Sequence, residues 1–214
     1  MTGNHDPATG RPPGFKLTIF SDYICPWCYV GQGVVEKLKA EYPIDLEWRP
    51  FYLYWDTPPE GMELPGYIKR ARAAGSEEKL SQIANLYGMP FVSTERIHNT
   101  RLAHEATEYA REHVLANEFH AVVFRKVYAE GCDISRWEVL RAAAVEVALD
   151  ADEMQTTVES GKYTKDVAQQ VEQAYAAGVT GVPTYVINNR YAIVGAQPYE
   201  NFNNALRRIL KSEV

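Results

Sequence analysis

Residues 21–31 read Ser-Asp-Tyr-Ile-Cys-Pro-Trp-Cys-Tyr-Val-Gly and contain Cys25 and Cys28, separated by two residues. An extended apolar segment, residues 15–20, comes before this stretch and a helix-forming segment follows it, so we expect Cys25 at a helix start. Pro26 suits the first helical position, because it lacks an N–H that would have no partner there and its φ is already helical. Unsatisfied N–H groups and the helix dipole at such a position favour the reactive thiolate. The stretch therefore predicts a reactive thiol pair.

Other interpretations of the two cysteines have less support. A static disulfide is rare in a reducing compartment. A structural zinc site needs four ligands, and the chain has no second pair of cysteines at this spacing. Haem attachment requires histidine directly after the second cysteine, where this chain has Tyr29. We therefore expect redox catalysis by Cys25 and Cys28, with no bound metal.

Composition excludes several classes of protein. The chain has 214 residues, 46% of them apolar, which is enough for one substantial core. Its formal net charge is -6 and its basic residues are scattered, so we expect no nucleic-acid partner. No run approaches the roughly 20 apolar residues that span a bilayer, so we expect no membrane association. The odd count of three cysteines leaves Cys132 unpaired and, with Met1 at the start, predicts a reducing, cytoplasmic location.

Periodicity along the chain predicts a tail and three structured parts. Residues 1–14 have almost no apolar content and are expected to form a flexible tail. Residues 15–61 show a β-α-β pattern, residues 62–177 are helical almost throughout, and residues 178–214 show a β-β-α pattern. Pro50 predicts that the second strand lies at an edge or contains a bend, because proline cannot donate to a central ladder.

Two finer predictions concern a turn and a helix start. Asn189-Arg190 separates the two short β-rich runs of the last part and is expected to form the linker of a hairpin. Ser135 and Glu138 have the spacing of a capping box, which predicts a helix that begins near Arg136.

The order of these elements, together with four sequence segments, resembles a known family. The segments are Ser21 to Gly31, Asn99-Thr-Arg-Leu-Ala-His104, Gly181-Val-Pro-Thr184 and Gly195-Ala-Gln197. They resemble the DsbA family, in which a helical domain is inserted into a thioredoxin fold, and most of all its FrnE-type branch, which is grouped with the 2-hydroxychromene-2-carboxylate isomerases. The resemblance implies an α/β thioredoxin-like domain made of residues 15–61 and 178–214, with residues 62–177 as the inserted helical domain.

The resemblance also implies roles for residues outside the cysteine pair. Pro183 would follow a cis peptide bond and lie against the cysteines, and Val182 would offer its backbone to an extended substrate. Asn99 and His104 would face the active-site cleft, where His104 could bond a carboxylate of a substrate or of glutathione. From the residues alone, Asn99 is better explained as a helix N-cap, and His104 is equally well explained as a residue on a helix surface. The substrate-binding residues so predicted are Trp27, Val182, Pro183, His104 and Asn99.

The expected activity is disulfide exchange with thiol or disulfide substrates, which are proteins, peptides or glutathione. No resident cofactor is expected, and glutathione is a candidate co-substrate. Trp27 is uncharged and cannot add the positive field of a protonated histidine, which predicts a reductant, an isomerase or a mild oxidant. The alternative is a glutathione-dependent isomerase or transferase similar to 2-hydroxychromene-2-carboxylate isomerase, in which a hydroxyl residue usually takes the place of Cys25. A third interpretation is a binding protein that retains the fold without redox activity.

Overall fold

The computed structural model describes residues 14–212. In this part of the chain the elements are β1 Phe15–Ser21, α1 Pro26–Glu41, β2 Ile44–Pro50, β3 Met62–Glu63, α2 Gly66–Ala73, α3 Ser76–Leu86, β4 Arg96–Ile97, α4 Arg101–Glu112, α5 Ala116–Tyr128, α6 Trp137–Glu146, α7 Ala151–Glu159, α8 Thr164–Ala176, β5 Thr184–Ile187, β6 Tyr191–Val194 and α9 Tyr199–Ser212. The predicted tail, except for Gly14, lies outside the described residues. None of the helices just given is long and apolar enough to cross a membrane.

A four-stranded sheet in the order β2-β1-β5-β6 forms the centre of the α/β part. β1 pairs in parallel with β2, and α1 makes the crossover that a parallel pair requires. β5 runs antiparallel to β1, and β6 runs antiparallel to β5. Pro50 ends β2, which lies at one edge of this sheet, as its missing N–H predicts. Strands from both ends of the chain are therefore adjacent at the centre of the sheet.

Helix α1 contributes to two hydrophobic cores. Val34, Val35 and Leu38 pack with the sheet residues and with α9. The first turns of the same helix, including Cys28 and Val30, belong to a larger core formed with α3 to α8. The helices α2 to α8 lie between β2 and β5 in the chain, which confirms the predicted fold class of a thioredoxin fold with a helical insertion. The domain boundaries at residues 61/62 and 177/178 stay a prediction.

Three local features differ from what the sequence predicts. The short strands β3 and β4 pair with each other inside the block that was expected to be helical, and two residues are too few to show a period. The hairpin turn is centred on Asn188 and Asn189, whose φ values are 50° and 55°, rather than on Asn189-Arg190. Asparagine tolerates this left-handed region better than most residues, so the turn uses both asparagines.

The predicted capping box is also absent, because the Ser135 hydroxyl donates to Asp133 Oδ1 at 2.6 Å. The helix α6 begins one residue later than expected, at Trp137, and Arg136 in its N-cap position makes no side-chain capping bond. Competition from the nearby carboxylate therefore replaces the reciprocal bonds that the spacing of Ser135 and Glu138 predicts.

Gly31 allows α1 to approach the start of β5 closely. A Cβ atom at this position would overlap the hydroxyl of Tyr185 and would contact Pro183 Cγ at 3.7 Å. Tyr185 is buried and packs edge-on against Phe202, with ring centroids 4.9 Å apart, so its ring has little room to move. Because Gly31 has no side chain, residues 182–185 can lie beside the cysteine pair.

We predict that Gly31→Ala lowers the free energy of unfolding by about 1–3 kcal/mol, the usual cost of overpacking, although alanine favours a helix. Adding Tyr185→Phe removes the overlapping oxygen and should restore more than half of the loss. Urea unfolding of both variants, with Tyr185→Phe alone as the control, measures this recovery. If the double variant is no more stable than Gly31→Ala, the hydroxyl contact is not the cause.

Candidate functional site

The cysteine pair lies at the N-terminus of α1. Cys25 is the N-cap residue, with φ -92° and ψ 106°, and Pro26 opens the helix. The Cys25 N–H donates to the Asp22 carbonyl at 2.9 Å, and the Cys28 N–H donates to the Cys25 carbonyl at 3.0 Å. The first turn contains no acidic residue, so no side chain cancels the positive end of the helix dipole. The Cys25 sulfur therefore lies at the positive end of the helix dipole.

Both thiols are free and buried, with 3% of Cys25 and 1% of Cys28 exposed. Burial raises the pKa of the Cys28 thiol well above its ordinary value, and the neighbouring Cys25 raises that pKa further. The Asp22 N–H and the Ser21 hydroxyl partly oppose the rise in this pKa. Cys28 is therefore a thiol at neutral pH.

Val182 and Pro183 lie opposite the cysteine pair. The peptide bond between them is cis, as the resemblance implies. The Cys25 thiol donates to the Val182 carbonyl oxygen at 3.5 Å across 157 positions of sequence. The fold thus brings the start of the first helix and the segment before β5 into direct contact.

A cavity of about 350 Å³ opens beside Cys25 and is lined also by Trp27 and Val182. Cys28 is not among its lining residues. The apolar part of the wall includes Ile24, Leu53, Leu64, Ile68, Leu80 and Phe91. Two charged side chains of the wall, Arg72 and Glu77, form an ion pair at 2.7 Å. The cavity therefore offers a mainly apolar surface next to one of the two sulfurs.

His104 and Asn99 do not line this cavity. His104 is 5% exposed, and its Nε2 lies 3.4 Å from Asp22 Oδ1 behind the cysteine pair. A place on the helix surface, the alternative for His104, is therefore wrong. The N-cap residue of α4 is Thr100, so the alternative of an N-cap for Asn99 is also wrong. Asn99 precedes it, and its Oδ1 accepts from the Arg101 N–H at 3.0 Å while its amide donates to the Thr57 carbonyl at 2.6 Å.

Asn99 also lines a second cavity of about 190 Å³, together with Tyr54 and Arg101. A substrate-binding role for Asn99 and His104 stays a prediction, and the structure does not place either beside the sulfurs.

Cys132 lies in the loop between α5 and α6 and does not line the cavity beside Cys25. Among residues 14–212 no group of three histidine, cysteine or acidic side chains could hold a metal ion.

Sequence reasoning missed most of the cavity wall. Ile68, Arg72 and Leu80 come from α2 and α3, where no motif marks them. Asp22 carries no motif of its own, and the structure shows a carboxylate that is 1% exposed and accepts from the Leu53 N–H at 2.8 Å. The one sequence signal for Asp22 was an acidic residue between the apolar segment and Cys25.

A thioredoxin-type sheet, with a pair of cysteines at the start of the first helix and a cis-proline segment opposite them, defines a protein of the thioredoxin-fold class. The profile of the DSBA-like thioredoxin domain matches residues 16–207, so the chain belongs to that family of oxidoreductases and isomerases.

Individual proteins agree with this assignment. YwbO of Bacillus subtilis is 29% identical over 195 residues, which cover 89% of this chain and 94% of YwbO. The structure of a probable DsbA oxidoreductase from Streptomyces coelicolor is 27% identical, with a TM-score of 0.84 over 94% of this chain and 91% of the other. The structure of a 2-hydroxychromene-2-carboxylate isomerase has a TM-score of 0.77 at 20% identity over 92% of this chain and 97% of the other, a likeness of fold.

The raised pKa of Cys28 predicts a pH-dependent stability of the reduced protein. Above about pH 8.5 an unfolded cysteine loses its proton while folded Cys28 keeps it, so the unfolded state binds fewer protons and stability falls as pH rises. We expect a loss of up to about 1.4 kcal/mol per pH unit relative to Cys28→Ser, whose hydroxyl does not titrate.

Urea unfolding in a non-thiol reductant between about pH 8 and 9.5, below the ordinary tyrosine pKa, measures the difference between the two proteins. Cys25 is present in both and serves as the internal control. Parallel stability curves for the two proteins would show that Cys28 is not a buried neutral thiol.

Proposed function

We propose that this protein is a thiol-disulfide oxidoreductase of the FrnE type that exchanges disulfides through Cys25 and Cys28. The observation that carries the proposal is the unequal position of the two sulfurs, since Cys25 lines the cavity and Cys28 does not. The thiol that a substrate can reach is the one at the helix start, and the thiol behind it is within one helical turn. This is the arrangement that nucleophilic attack followed by internal resolution requires.

In the proposed reaction the Cys25 thiolate attacks one sulfur of a substrate disulfide. A bond forms between Cys25 and that sulfur, and the other substrate sulfur leaves as a thiolate that takes a proton from water. The Cys28 thiol then loses its proton to water, and its thiolate attacks Cys25 and forms the intramolecular disulfide. The bond from Cys25 to the substrate breaks, and the second substrate sulfur leaves as a thiolate that takes a proton from water. The substrate gains two electrons and the protein loses two. The reverse sequence oxidises a dithiol substrate.

The backbone of Val182 supports binding of an extended substrate. Its carbonyl accepts from the Cys25 thiol in this structure, and a thiolate can no longer donate to it. Loss of the proton therefore frees an acceptor beside the attacking sulfur, where a substrate N–H can bind. Trp27 and Pro183 complete the proposed binding surface, Trp27 in the cavity wall and Pro183 next to Val182.

The cavity favours apolar thiol or disulfide substrates, because its charged residues Arg72 and Glu77 neutralise each other. No resident cofactor is needed, since the two thiols carry both electrons. Glutathione, as a co-substrate, returns the pair to its starting state in this proposal. The proposed location is the cytoplasm. A protein that is only a mild oxidant is suited to reduction or isomerisation in that compartment.

We predict that Cys28→Ser accumulates mixed disulfides on Cys25 when it is incubated with a disulfide peptide, because nothing resolves them. Cys25→Ser should accumulate almost none, since its remaining thiol does not line the cavity. Mass spectrometry of the alkylated intact proteins measures the adducts, and the wild-type protein should form the internal disulfide. A wild-type protein that keeps glutathione on Cys25 without closing the disulfide would favour the isomerase or transferase instead.

We also predict that Trp27→His makes the protein a stronger oxidant. A protonated histidine next to the helix start stabilises the thiolate of the reduced form, and a tenfold change in the equilibrium constant corresponds to about 30 mV. Equilibration in graded glutathione buffers, followed by thiol trapping, measures this constant. Trp27→Phe keeps an uncharged ring and should stay within about twofold of the wild type, which is a few tenths of a kcal/mol. Equal shifts in the two variants would exclude charge as the cause.

A further inference from the structure

Asp22 connects the cysteine pair to the cavity wall. Its carbonyl accepts the Cys25 N–H at 2.9 Å, and its main-chain N–H lowers the pKa of the Cys28 thiol. Its carboxylate accepts the Leu53 N–H at 2.8 Å, and Leu53 belongs to the wall. One residue is thus bonded to Cys25 and to a residue of the substrate cavity, and it also acts on the charge of Cys28. A shift of Asp22 necessarily changes the geometry of the pair.

His104 holds this carboxylate from the opposite side. Its Nε2 donates to Asp22 Oδ1 at 3.4 Å, and the Ile24 N–H donates to the same oxygen at 3.5 Å. The imidazole lies between aromatic rings, with centroid distances of 4.9 Å to Tyr23 and 5.4 Å to Tyr52. These rings restrict the imidazole, so the position of Asp22 is set from α4, an element of the inserted helices.

The donor that Asp22 offers to Cys28 matters most during the second chemical step. Cys28 is buried and needs a hydrogen bond to its charged form when it attacks Cys25. Cys25 attacks substrate from the N-terminus of α1, at the positive end of the helix dipole, and its side chain makes no capping bond there. Misplacing Asp22 should therefore slow the attack by Cys28 more than the attack by Cys25.

We propose that Asp22, held in place by His104, is a positioning residue that prepares Cys28 to resolve the mixed disulfide on Cys25. The inference rests on the proposed disulfide exchange. In this step the Cys28 thiolate forms a bond to Cys25, the bond from Cys25 to the substrate sulfur breaks, and the electron pair leaves with the substrate thiolate, which takes a proton from water. Asp22 and His104 gain and lose no electrons.

The test separates the two chemical steps with a chromogenic aromatic disulfide added to the reduced protein. Attack by Cys25 releases the first coloured thiolate and resolution by Cys28 releases the second, so stopped-flow absorbance gives both rates. We expect Asp22→Ala and His104→Leu to slow the second phase about tenfold, because each loses a bond of the Asp22 carboxylate that holds the Asp22 main chain in place, and the first phase less than about threefold. His104→Gln keeps a donor and should recover most of the rate.

A matched control is the buried bond from the Tyr42 hydroxyl to Asn203 Oδ1, which is 2.8 Å long and lies after the far end of α1. Tyr42→Phe should lower thermal stability and leave both phases unchanged. The inference is overturned if His104→Gln and His104→Leu have the same second-phase rate, or if both phases slow equally. If Asp22→Ala does not fold, the two His104 variants decide the matter. A wild-type protein that releases only one coloured thiolate would overturn the proposed function itself.

Discussion

The burial of α1 on two sides is the constraint on which the rest of the structure depends. One part of the helix packs with the sheet through Val34, Val35 and Leu38, and its first turns pack among the inserted helices. Each square ångström of apolar surface removed from water contributes about 25 cal/mol, so stability is greatest when both parts are covered. The start of the helix, with Cys25 and Cys28, is therefore held relative to both cores.

This burial also explains how polar groups are arranged around the thiols. A buried donor or acceptor without a partner costs about 1–3 kcal/mol, which selects structures in which such groups bond to one another. The Asp22 carboxylate receives bonds from the main chain and from His104, and the Cys25 thiol bonds to Val182. With these two groups bonded within the protein, the site presents mainly apolar walls to a substrate.

Local signals predicted the parts of the fold that depend on neighbours in sequence. The helix start at Cys25 follows from Pro26 and from the pattern on either side, and the edge position of β2 follows from Pro50. The hairpin turn was misplaced by one residue, because the register of β5 and β6 decides which residues take positive φ. The buried position of His104 was not predicted, because Tyr23 and Tyr52, whose rings pack against it, are far from it in the sequence.

The sequence by itself determined the chemistry of this protein, a pair of thiols at a helix start within an α/β chain that carries a helical insertion. These features follow from side-chain type, spacing and periodicity, which act over a few residues. Only the tertiary structure decided which sulfur reaches the cavity, that residues from α2 and α3 form its wall, and that Asp22 and His104 lie behind the pair. Those outcomes depend on packing between segments far apart in the chain, where the gain from burial outweighs local preference.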